Sequence, residues 1–177
     1  MTTPTIHDVA LTGPLTTPAG ILTVVASEDG TIRAAGFGSA DALVARFLLT
    51  APRTDLRPVG GGDLPTTLVE AVQRYADGDP GALDTVPVVQ PGGAFFQTVW
   101  EAMRRIPPGT TQSYTALAGA AGRPTAVRAA GSACARNLVA PFVPCHRVVR
   151  TDGTLGGYAY GLDAKRALLA HERARVG

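Results

Sequence analysis

Apolar and polar positions along the first ninety residues alternate between strand-like and helix-like rhythms. Ile21 to Ala26 and Thr31 to Ala35 are apolar, β-branched runs around Ser27-Glu28-Asp29-Gly30. Asp-Gly supplies the positive φ of a tight turn, so this pattern predicts a β-hairpin. Ser39 is placed to cap a helix whose Leu43, Val44, Phe47 and Leu48 recur at helical spacing. Pro52 to Pro65 reads as a glycine- and proline-rich loop, a second helix gathers around Leu68, Val72 and Tyr75, and Thr85 to Val89 reads as a short strand.

After Gln90-Pro91-Gly92-Gly93 the rhythm becomes mostly helical. Phe96, Val99, Trp100 and Met103 form one apolar stripe at i, i+3, i+4 and i+7, and Pro107-Pro108-Gly109 stops that helix. Ser113 is an N-cap candidate for a helix through Ala120, Gly122-Arg123-Pro124 breaks it, and another helix runs from about Thr125 to Arg136. Two short helices around a glycine-containing turn give a helix-turn-helix outline, an arrangement shared by many simple packing hairpins. The second of these helices is built almost wholly of small side chains with two arginines, which permits close backbone approach to a neighbouring helix or to a nucleic-acid groove. Phe142 to Val149 is an apolar, strand-like run, and Leu162 to Glu172 is a helix with Lys165, Leu168, Leu169 and Glu172 on one stripe.

Composition narrows the class. Of 177 residues, 17% are charged and 45% apolar, which excludes a disordered tail or a charged coiled coil. No apolar run approaches the ~20 residues of a membrane helix, and Met1 to His7 has no signal-peptide character, so a soluble, cytoplasmic protein is expected. The net charge of +2 hides a split. Residues 1–90 hold 5 Arg against 10 carboxylates, net −5, and residues 91–177 hold 11 Arg and Lys against 4, net +7. The division into domains is therefore placed at 1–90 and 91–177, and the basic half invites a polyanion. The two cysteines, Cys134 and Cys145, suit neither a structural disulfide nor a zinc site, and no metal or other cofactor is implied.

The candidate chemistry sits at Pro144-Cys145-His146-Arg147. A cysteine in an apolar run is most simply a small buried hydrophobe. Here a His and an Arg follow directly, and nearby positive charge lowers a thiol pKa. Adjacent residues of an extended chain face opposite ways, so His146 needs a water relay or a sharp turn to serve the sulfur. Glu172 shares its stripe with leucines, and a carboxylate there needs a partner such as an imidazole or an ammonium; the alternative is a helix-end Glu that fans to solvent. Cys-His-Glu is the logic of an activated nucleophile. His171, on the other side of that helix, reads as a surface residue.

Pro144 to Val149 resembles the active-site motif of the O6-alkylguanine-DNA alkyltransferases, the methylated-DNA–protein-cysteine methyltransferases. The resemblance continues through Phe96-Gln97, Val99-Trp100, Ile106-Pro107, Gly109-Thr110, Ser113-Tyr114, Leu117-Ala118, Ala126 to Ala129, Asn137, Gly153 to Tyr158 and Lys165 to Glu172. It implies an α/β (α+β) fold with a small ribonuclease-H-like N-terminal domain and a helical, winged helix-turn-helix-like C-terminal domain. It also implies irreversible, single-turnover transfer of an alkyl group from O6 of a flipped guanine to Cys145. His146 would act through a water, Glu172 would orient His146, and Asn137 would hold the hinge before the acceptor. Tyr114 would donate to the departing base, Arg128 would fill the gap in the duplex, and Arg123 and Ala129 would also lie against DNA. The carbonyls of Cys145 and Val148 would accept the guanine amine, and Gly157, Tyr158 and the N–H of Ala159 would line the pocket. Pro144, Arg147 and Lys165 would support them. The implied partner is double-stranded DNA carrying O6-alkylguanine, met through the minor groove by a monomer; activity on O4-alkylthymine and cooperativity along DNA stay open.

Leu138 stands where many relatives have proline, which is expected to loosen the hinge, and Ala159 where some carry a polar side chain. Cys134 reads as a packing residue. A non-catalytic alkylated-DNA-binding or regulatory module is the alternative, but relatives of that kind replace the acceptor cysteine. A cysteine hydrolase would leave the basic helical hairpin unexplained.

Overall fold

The computed structural model describes residues 8–173. Its sheet is a meander of β1 (Asp8–Thr17), β2 (Gly20–Ala26) and β3 (Ile32–Phe37), joined by β4 (Thr54–Pro58) in the order β3-β2-β1-β4. The first three strands are antiparallel and β4 runs parallel to β1, reached through α1 (Ala40–Thr50). This is the arrangement expected for a ribonuclease-H-like half. The hairpin forms as the Asp-Gly signal requires: Gly30 has φ +88°, and Ser27 N–H bonds Thr31 O at 2.9 Å. Ser39 caps α1 through Ala42 N–H. Two expectations fail here. The stretch 52–65, read as loop, contains β4, whose polar Thr54, Asp55 and Arg57, the last two exposed, give no strand rhythm because β4 lies at the sheet edge. Thr85 to Val89 is not a strand: a 3-10 turn covers Ala82–Thr85, and only an isolated bridge ties Val88 to Ile32.

α2 (Thr66–Ala76) lies against β1, and the chain passes through Gln90 to α3 (Ala94–Arg104). Then come β5 (Gln112–Ser113), α4 (Tyr114–Ala120), α5 (Val127–Arg136), β6 (Val148–Val149) and α6 (Leu162–Arg173). Ser113 caps α4 through Ala116 N–H, and Trp100 on α3 donates to Ala133 O at 2.9 Å, fixing α5. One apolar core runs from Leu22, Val24 and Tyr75 through Trp100 and Met103 to Phe142, Val148 and Leu168, so sheet and helices do not pack as separate bodies. A second cluster sits between α1 and the sheet and includes Leu138. Among the described residues no helix is long and apolar enough to cross a membrane.

Candidate active site

Cys145 to Arg147 is not extended, as the apolar run suggested, but a single 3-10 turn closed by Arg147 N–H on Pro144 O. The turn carries Cys145 to a cleft of about 220 Å³ while His146 and Arg147 enter the core, 0% and 1% exposed. Tyr114, Gly131, Cys134, Ala135, Gly157, Tyr158 and Ala159 complete the cleft. Tyr114, Cys145, Gly157, Tyr158 and Ala159 were expected at one place and are brought together. Arg123, Arg128 and Ala129 do not line it: both arginines are exposed, on the interhelical turn and on the first turn of α5, with Arg123 stacked over Phe95. Val148 is buried below the cleft, its carbonyl accepting from Lys165 Nζ at 2.7 Å. The wall from α5 was missed. Gly131, Cys134 and Ala135 fall at i, i+3 and i+4, so the run of small residues held the signal, and Cys134, read as packing, faces the same space as Cys145.

Behind the sulfur, Glu172 and the imidazole meet as the stripe on α6 predicts. His146 Nε2 donates to Glu172 Oε1 at 2.7 Å, and Arg147 donates Nε to Oε2 and a terminal nitrogen to Oε1, each at 3.0 Å. Burial would raise the Glu172 carboxyl, but the bonds from His146 and Arg147 and their charges outweigh it and hold it at about 2. An ionised Glu172 only accepts, so the His146 proton sits on Nε2. Burial also pushes the imidazole below its ordinary value against the pull of Glu172, so it is neutral, and its buried Nδ1 has no protein partner. The pair therefore presents a base.

The sulfur is a thiol at rest, because burial raises its pKa more than the Asn137 bond and the Lys165 charge lower it. The expectation that Arg147 activates Cys145 is corrected. Arg147 is committed to Glu172 and to Ile106 O, and the cation acting on the sulfur is Lys165. Lys165 Nζ also bonds Leu155 O and reaches Gly157 O at 3.5 Å, clamping the loop over the cleft. That loop needs Gly156, at φ +67°, where a Cβ would press on Tyr114.

Asn137 ends α5, with Nδ2 donating to Cys145 Sγ at 3.2 Å and to Val143 O at 2.8 Å. Its orientation is set by Gln90, unmarked in the sequence because it sits in a Pro-Gly linker. Gln90 Nε2 donates to Asn137 Oδ1 at 3.0 Å, and Gln90 Oε1 accepts from Leu138 N–H at 2.8 Å. The expected loosening at Leu138 does not occur. Its side chain is buried and its N–H makes a bond that proline lacks. His171 is also less peripheral than expected, bonding Tyr75 O at 2.6 Å.

Residues 94–174 match the family profile described as 6-O-methylguanine DNA methyltransferase, DNA binding domain. The chain is 34% identical over 158 residues to the methylated-DNA--protein-cysteine methyltransferase of Shigella flexneri, covering 89% of this chain and 92% of that one. It is 56% identical over 88 residues to the bifunctional transcriptional activator/DNA repair enzyme Ada of Escherichia coli, half of this chain but 25% of Ada. The chain thus spans about a quarter of that relative. The Mycobacterium tuberculosis OGT solved in complex with DNA superposes with a TM-score of 0.74 at 32% identity, covering 93% and 94% of the two chains.

Proposed function

The chain belongs to the methylated-DNA–protein-cysteine methyltransferase family, and from that premise we propose that it repairs DNA by direct reversal, moving an alkyl group from O6 of guanine to Cys145. The observation that carries this reading is a buried cysteine opening on a cleft of about 220 Å³, backed by a neutral imidazole on an ionised carboxylate. His146 Nδ1 takes the thiol proton through a water, and the sulfur attacks the alkyl carbon. The S–C bond forms, the C–O6 bond breaks, and its electron pair leaves with the guanine. The thioether has no leaving route, so each molecule reacts once.

Duplex DNA meets the basic half, residues 91–177, with α5 in the minor groove, while residues 1–90 support it. The small side chains of α5 allow that approach, and exposed Arg128 takes the place of the flipped nucleotide. Tyr114, at the cleft wall, donates to the departing base. The carbonyls of Cys145 and Val148 each already accept one bond, from Val148 N–H and Lys165, leaving one lone pair apiece for the guanine amine. A duplex whose restriction site is blocked by O6-methylguanine tests the proposal: cleavage returns in proportion to protein added, one site per molecule. Catalytic turnover, or no restored cleavage, would contradict it.

A further inference from the structure

The acidic half reaches the His146–Glu172 pair through a hydroxyl. Tyr75, on α2, is 0% exposed, and its Oη donates to Glu172 Oε1 at 3.2 Å. Oε1 is the oxygen that also receives the His146 proton donor at 2.7 Å. Burial and the adjacent Glu172 charge push the phenol far above its ordinary pKa, so it stays protonated and can only donate. Tyr75 is itself held from α6: the His171 ring packs edge-on against it, centroids 4.9 Å apart, and bonds its backbone carbonyl. The hold is reciprocal, since His171 grips Tyr75 and Tyr75 grips the next residue along α6.

Resting on the alkyl-transfer reading, we propose that Tyr75 is a positioning residue that tunes the His146–Glu172 pair from the opposite half of the chain. Oε1 takes three donors, from His146, Tyr75 and Arg147, and a carboxylate oxygen shared among three draws the imidazole proton less strongly than one shared by His146 and Arg147 alone. Tyr75 therefore helps keep His146 neutral and able to act as a base. The other charges around the pair are Arg147, which bonds both carboxylate oxygens, Asp84, 3.8 Å from Arg147, and Lys165 on nearby carbonyls; the Arg147 and Lys165 cations also push the imidazole down. Among the described residues Tyr75 is the one neutral donor to Glu172 besides His146 itself.

The test is the pH–rate profile of single-turnover alkyl transfer for the parent and Tyr75→Phe, which keeps the ring packing and deletes the donor. The variant's acid limb moves up by about half a pH unit, a roughly threefold slower reaction below the limb, with one alkyl group still accepted per molecule. Fluorotyrosine placed at 75 alone, a stronger donor, moves the limb down, and this arm decides the matter if Tyr75→Phe does not fold. Superimposable limbs, or a lower melting temperature with an unmoved limb, would overturn the proposal. Absence of transfer by the parent would instead overturn the functional reading itself.

Discussion

At Glu172 three side chains, Tyr75, His146 and Arg147, converge on one buried carboxylate, and protonating it removes the charge that holds them. Its folded pKa of about 2 lies below the ordinary 4.5, so it stabilises the fold above about pH 4.5, and this is lost as pH falls toward 2. The whole shift is worth on the order of 3 kcal/mol. His146 acts in the same direction: its folded pKa is depressed, so below about 6.5 the unfolded chain gains a proton that the folded one resists. Melting temperature should fall on acidification from about pH 6.5, and Glu172→Gln should flatten the portion below pH 4.5; an unchanged slope there would mean that the carboxylate is not held as described. At this scale the sequence was informative about identity and silent about direction. The stripe on α6 announced a partnered Glu172, but the turn at Cys145 decides that Arg147 serves Glu172 while Lys165 faces the sulfur, and no periodicity records such a turn.

Elements with a strong rhythm were legible: the hairpin at Gly30, the capped helices α1 and α4, and α6. β4 was not, since an edge strand packs few side chains and its polar residues read as loop. β1 also went unread, because Pro14 and a run of threonines blur its alternation. The joint between α5 and the acceptor turn shows the same limit. Leu138 suggested a slack hinge by comparison with proline, yet Gln90, 48 positions away, fastens its N–H. Leu138→Pro removes that donor, strands Gln90 Oε1 and trims a buried side chain. It should cost about 2–4 kcal/mol in urea unfolding, and a change under ~0.5 kcal/mol would show that the joint is held by other contacts.

Across the whole molecule, the opposite net charges of residues 1–90 and 91–177 suggested a division of labour, and the core shows how little the halves are separated. Tyr75 meets Glu172, Gln90 meets Asn137, and Tyr160 Oη meets Ala35 O at 3.3 Å, with Gly36 beside it because a Cβ there would overlap the tyrosine ring. The acidic half thus reaches both the carboxylate that holds the base and the asparagine on the sulfur, long-range pairings that a linear pattern cannot announce. All of this geometry bears on one atom, Cys145 Sγ. Intact-mass measurement after incubation with a duplex containing O6-methylguanine tests that most directly. The protein should gain the mass of one CH2 group, methyl in and proton out, once per molecule, with peptide mapping placing it on Cys145 and none on Cys134; an unmodified Cys145, or a label on Cys134, would contradict the account.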